Sequence, residues 1–139
     1  MPSVVAGDPL PGVAHLAVFP GLGASLVDAI LETGIRGLVL EAYPAGLGPG
    51  GDPAFVEALR RATASGVVIG AVSQAHGGRV RIGRYATSTP LAEAGVVGGA
   101  DMTAEAALAK LHCLLAAGLP AEETRALFAR NLQGELAAE

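Results

Sequence analysis

The sequence predicts an α/β domain: an open, doubly wound parallel sheet of about four strands, in three layers, with helices on both faces. Three observations carry this expectation. Short apolar runs without polar interruption alternate with stretches of helical spacing, the pattern of strands buried on both faces and joined by crossover helices. Capping and turn residues fall between the runs, at Pro20-Gly21, Asp52-Pro53 and Gly66. Finally, 139 residues with 51% hydrophobic and only 16% charged residues suffice for one domain with a real core. With no Trp and 4% aromatics, that core must be filled mainly by Ala, Val and Leu.

Each element follows from local chemistry. Residues 1–12, MPSVVAGDPLPG, hold three prolines and two glycines and read as a linker, leaving 13–139 as the domain. VAHLAVF (13–19) is a first apolar strand. Leu26, Val27, Ile30 and Leu31 give 24–33 the spacing of a helix, and RGLVLEA (36–42) is a second strand. Asp52 caps free N–H groups, and Pro53 suits the first helical position. Phe55, Val56, Leu59 and Ala62 then line one helix face up to a left-handed cap at Gly66. VVIGAV (67–72) is the third strand, and 95–98 contains the fourth. Leu108, Leu111 and Leu115 mark a helix ending at Gly118. Pro120 opens a last one, which buries Leu127, Phe128 and Leu132. Right-handed crossovers make this a flavodoxin- or Rossmann-like arrangement.

Charge and composition exclude several function classes. A formal charge of −4 lacks the clustered cations that displace counterions from nucleic acid, and Arg79, Arg81 and Arg84 read as a solvated strand and loop. Cys113 is alone, so no internal disulfide forms. No apolar run reaches the roughly 18 to 20 residues of a membrane span. The start lacks a secretory signal, so a cytoplasmic location is the expectation, with no membrane and no nucleic-acid partner.

Candidate sites are few. Gly46-Leu47-Gly48-Pro49-Gly50-Gly51 matches GxGxxG, but a dinucleotide fold needs an acid about 20 residues on, where Ala71, Val72 and Ser73 stand. Pro49 also removes an N–H where donors are wanted. A Walker loop is excluded because the only lysine, Lys110, follows Ala109 inside a helix. In AGVVGGADMTAE (94–105), Asp101 or Thr103 caps a helix and Glu105 complements its positive end, so an anion is unwelcome there. Tyr85-Ala86-Thr87-Ser88-Thr89 is a hydroxyl-rich loop, with His76 as a conceivable base for Thr87 or Ser88. His15 reads as a core or edge strand residue. His112 and Cys113 are adjacent on a helix and diverge, and no Cys/His spacing suits a metal.

Several motifs together resemble a known family. Phe19-Pro20-Gly21, Gly37 to Tyr43 (GLVLEAY), Tyr85-Ala86-Thr87, Ala94 to Thr103 (AGVVGGADMT) and Asn131 to Leu136 (NLQGEL) look like the C-terminal domain of the L-asparaginases. The cytoplasmic bacterial type is the nearest match, and a related archaeal amidotransferase component shares the fold. The resemblance implies an amidohydrolase that converts asparagine to aspartate and ammonia through a threonine acyl-enzyme, without a cofactor or metal. It also implies that the nucleophilic threonine (TGGT-like) and a second threonine with its aspartate and lysine lie in an N-terminal domain. This sequence contains neither TGGT nor TDT. The chain is therefore expected to be inactive alone, without catalytic residues of its own. Its expected partners are a second copy in a dimer, an N-terminal catalytic domain, or both.

The same resemblance points to Gly46, Leu47, Gly48, Tyr85, Thr87 and Ser88 as cleft-lining candidates, and Ser73 and His76 join them on the loop after the third strand, where ligands of open sheets collect. Leu47 stands where the family often has a substrate-facing asparagine. Glu41 and Ala75 stand where the cytoplasmic enzymes carry the arginine and cysteine of an allosteric asparagine site, so that site is not expected here. The alternative is a stand-alone, flavodoxin-like module that binds a small molecule such as an amino acid. An independent enzyme using Thr87 or Ser88 with His76 is the third possibility.

Overall fold

Parallel pairing of the short apolar runs organises the protein, as seen in a computed structural model that describes residues 12–43, 52–75, 78–79 and 89–137. The strands are β1 (Val13–Ala17), β2 (Gly37–Ala42), β3 (Val68–Ser73) and β4 (Val97–Gly98). The helices are α1 (Ala24–Leu31), α2 (Pro53–Ala64), α3 (Thr89–Glu93), α4 (Ala104–Ala116) and α5 (Ala121–Phe128). All four strands are parallel, in the order β1-β2-β3-β4, with Val13 opposite Gly37, Gly37 opposite Val68 and Gly70 opposite Val97. The four-stranded α/β sheet, flanked by helices on both faces, is as the sequence predicts.

The sequential order decides which helix covers which face. Crossovers between neighbouring parallel strands are right-handed, so successive ones fall on the same side. Accordingly Val27 of α1, Phe55 and Leu59 of α2 and Leu91 of α3 share one core with Leu38, Leu40, Ile69 and Ala71. The alternate residues Val39, Val68 and Val72 point the other way, onto Leu111, Leu114 and Leu115 of α4 and Phe128 of α5. The second face is thus covered by chain that follows the last strand. β2 and β3, buried on both sides, read as continuous apolar runs for this reason. β1 is an edge strand, with His15 and Ala17 exposed.

Two glycines permit the second layer to approach. A Cβ on Gly70 would lie 2.3 Å from Cζ of Phe128, and one on Gly37 would lie 2.8 Å from Cδ2 of Leu111. The helix ends follow the expected chemistry. Oδ1 of Asp52 accepts from the N–H of Ala54 at 3.0 Å, worth about 1 kcal/mol. Gly66 takes φ +97° after α2.

Some boundaries differ from the sequence expectation. α1 stops at Leu31, because the Thr33 hydroxyl bonds the Ile30 carbonyl at 2.6 Å and Gly34 turns the chain at φ +79°. α3 departs from the sequence expectation: its single turn begins at Thr89, the last residue of the hydroxyl-rich stretch, and buries Leu91. Leu127 and Leu132 are half-buried, and Leu132 lies beyond the end of α5. The linker-like segment falls outside the described residues but for Gly12.

Gly70→Ala is expected to cost about 1–3 kcal/mol, because the added methyl overpacks against Phe128. The shift in urea midpoint reads this cost, and Phe128→Leu in the same chain should recover part of it.

Candidate functional site

The carboxyl ends of β2, β3 and β4 meet the N-terminus of α4 around a cleft of about 450 Å³. Glu41, Ser73, Gln74, Asp101, Thr103 and Glu105 supply its polar lining. Gln74 fastens the strand ends: its Nε2 donates to the carbonyls of Val18 at 2.5 Å and Glu41 at 2.9 Å. Glu41 pairs with His15 on the edge strand, Oε2 to Nε2 at 3.0 Å. Thr103 caps α4, its Oγ1 accepting from the N–H of Ala106 at 3.1 Å.

Among the described residues the cleft is electrostatically one-sided. Glu105 occupies the positive end of α4. Its carboxyl is held below the ordinary range by its own backbone N–H and then by the Thr103 hydroxyl, with attraction from His15 adding to them. With Glu41 and Asp101 this places three carboxylates around one opening, beside the imidazole of His15, among the described residues. An anion would meet those carboxylates; an ammonium or guanidinium group would be attracted. The stretch AGVVGGADMTAE is thus a capped turn that presents acid, as its charges predict.

Among the candidates read from the sequence, Ser73 lies in the cleft. Its Oγ accepts from the N–H of Ala75 at 3.0 Å, an engagement with its own backbone. No base among the described residues hydrogen-bonds it. Gly46, Leu47, Gly48, His76, Tyr85, Thr87 and Ser88 lie outside the described residues. Glu41 and Ala75 line the same cleft. Asp101 does not cap α4; its Oδ1 instead accepts from the N–H of Ala137 at 2.8 Å. Nothing in the local sequence signals a partner 36 residues away.

The only lysine is accounted for by packing. Lys110 is 5% exposed. Its Nζ bonds the Arg130 carbonyl, lies 2.5 Å from Oε1 of Glu135 and sits 5.9 Å from the Phe128 ring centroid. Glu135 also accepts from the N–H groups of Leu132 at 3.0 Å and Gln133 at 2.7 Å. Burial acts to raise the Glu135 carboxyl, but Lys110 and the backbone N–H groups override it and lower it to about 2. Beside this pair a groove of about 210 Å³ runs along α4 past Cys113. The signal available in the sequence was position: Lys110 falls on the stripe with Ala107, Leu111 and Leu114. Among the described residues no group of three or more His, Cys, Asp or Glu is placed to hold a metal, and no helix is long and apolar enough to cross a membrane.

Comparisons with known proteins agree on one family. The sequence model of the Glutaminase/Asparaginase C-terminal domain matches residues 12–128. L-asparaginase 1 of Escherichia coli is 40% identical over 124 residues, 89% of this chain and 36% of that protein. A glutamyl-tRNA(Gln) amidotransferase component of Aeropyrum pernix is 39% identical over 124 residues, 89% of this chain and 28% of that protein. The crystal structure of L-asparaginase I from Vibrio cholerae superposes with a TM-score of 0.87 at 33% identity, over 96% of this chain and 42% of that one. The chain therefore spans well under half the length of these relatives.

The Lys110–Glu135 pair makes stability acid-sensitive in a defined window. A depressed carboxyl stabilises fully above its unfolded value, near 4.5, and this contribution is lost as pH falls through about 2. Glu135→Gln should lower stability at neutral pH by about 3 kcal/mol, since a buried ammonium loses its counter-charge, and should flatten this acid limb. Urea midpoints measured from pH 7 down to about 2 read both effects; the two proteins should converge at the acid end.

Proposed function

Because the chain belongs to the Glutaminase/Asparaginase C-terminal domain family, we propose that it acts as the accessory half of an L-asparaginase-type amidohydrolase, shaping a composite site without cleaving the amide itself. The resemblance implies the whole reaction: asparagine and water give aspartate and ammonia through a threonine ester. In that reaction a hydroxyl adds to the side-chain amide carbon, ammonia leaves, and water releases the acid. The groups that perform these steps reside, by the same resemblance, in an N-terminal half that this chain would join, either within one polypeptide or across a dimer.

The observation that carries this reading is the 40% identity across 89% of the chain, coupled to the fate of the single lysine. A lysine that activates a threonine must be near neutral and must face substrate. Lys110 is instead committed to Glu135 and the Arg130 carbonyl, beneath the second face of the sheet. Ser73 has no base among its hydrogen-bond partners in the described residues. The cleft at the strand ends suits a contribution of charge: three carboxylates attract a substrate ammonium or a basic segment of a partner domain. Neither this geometry nor the comparisons favour a stand-alone amino-acid binding module.

The purified chain should release no asparagine-dependent ammonia. Mixed with the separately produced N-terminal half of an L-asparaginase, it should form a complex on size exclusion and raise that half's turnover by at least about tenfold, since catalytic groups are productive only when held in register. Sustained ammonia release by the chain alone, copurifying with it through a second chromatographic step, would overturn the proposal.

A further inference from the structure

We propose that the C-terminal segment from Arg130 to Ala137 is a strap whose closure sets the lip of the strand-end cleft, with Lys110 and Glu135 as its lock. From the end of α5 to Ala137 the chain forms no regular element, yet it is closed on itself. The Asn131 side-chain amide donates to the Leu136 carbonyl at 2.6 Å, and the N–H of Gly134 donates back to Oδ1 of Asn131 at 2.7 Å. The Glu135 carboxylate gathers the N–H groups of Leu132 and Gln133 within this loop. Leu136 is buried against the core of the second face.

The strap is held at two places with different characters. At one end Lys110 grips both the Arg130 carbonyl and Glu135 from the middle of α4, roughly 9 Å along the helix from its first residue. At the other end the N–H of Ala137 donates to Asp101, which lines the cleft. Asp101 follows Ala100, the one non-glycine residue with positive φ among the described residues, at +51°. A side chain in that conformation is strained and persists only where its surroundings hold it. The Met102 N–H closes this turn onto the Gly99 carbonyl at 3.1 Å, and Ala137 supplies an anchor from outside the turn.

The two ends are coupled by the cost of an unpaired charge. If Glu135 cannot answer Lys110, the ammonium is driven to find water, and the strap is the part that must lift to admit it. Lifting withdraws Ala137 from Asp101, and the strained turn between β4 and α4 then loosens. Strap and lock act as positioning devices for the cleft, and neither depends on the amidohydrolase reading.

Amide hydrogen exchange followed by NMR on the full chain tests this. Glu135→Gln should speed exchange at both Leu132 and Met102 by about tenfold or more through local opening, while Leu40 and Ile69 in the sheet remain the slowest amides and fall only with the global stability. Ala137→Pro removes the donor to Asp101 while leaving the Lys110–Glu135 pair in place; it should speed Met102 and leave Leu132 unchanged. Should Glu135→Gln unfold the whole domain, seen as loss of protection at Leu40 and Ile69, Ala137→Pro alone decides. Wild-type exchange at Met102 in Ala137→Pro, or in a folded Glu135→Gln, would overturn the proposal.

Discussion

The strictly sequential order of the four parallel strands is the constraint from which the rest follows. It commits every crossover helix to one face and leaves Val39, Val68 and Val72 uncovered until the last strand has been laid down. The chain after β4 must therefore turn back and supply a complete layer. That layer is built to come close: glycines at 37 and 70 remove the side chains that would hold it off. The turn from β4 to α4 must be tight, which brings an alanine with positive φ and an acidic residue to the rim of the sheet. The cleft, the buried lysine and the C-terminal segment are all products of this late return.

Electrostatics give the strand ends their character. Carboxyl ends of parallel strands beside a helix N-terminus commonly receive anions. Here Glu105 fills that role from within the chain, and Glu41 and Asp101 extend the negative charge across the opening. Glu41 matters most, because an acid there repels the carboxylate of a free amino acid. The fold is shared with asparaginases, and this corner gathers the carboxylates. That an L-asparaginase and an amidotransferase component both resemble this chain fits a division between scaffold and site.

Much of the fold was legible because the signals were local. Apolar runs with no polar member marked β2 and β3, and Asp52-Pro53 and Gly66 marked the two ends of α2, each for a reason visible within a few residues. α3 escaped because five residues carry too little periodicity to separate a helix turn from a loop. The site was legible only in part. Ser73 could be placed from the end of its strand, and the family resemblance singled out Glu41 and Ala75. The partnerships Asp101 with Ala137, and Lys110 with Glu135, join residues 36 and 25 positions apart. They exist only once the second layer is in place, so no spacing rule anticipates them. A lysine on an otherwise apolar helix stripe was the one available warning.

The burial of Lys110 has a consequence for how this protein meets reagents. Every other cationic side chain, apart from the histidines, is an arginine, and the single lysine amine is both enclosed and ion-paired. Acylating probes, cross-linkers and lysine-directed enzymes therefore find no side-chain amine on the folded surface. Covalent labelling at Lys110 becomes a stopwatch for opening of the second layer, and a domain coupled to a support through that residue must first have come apart.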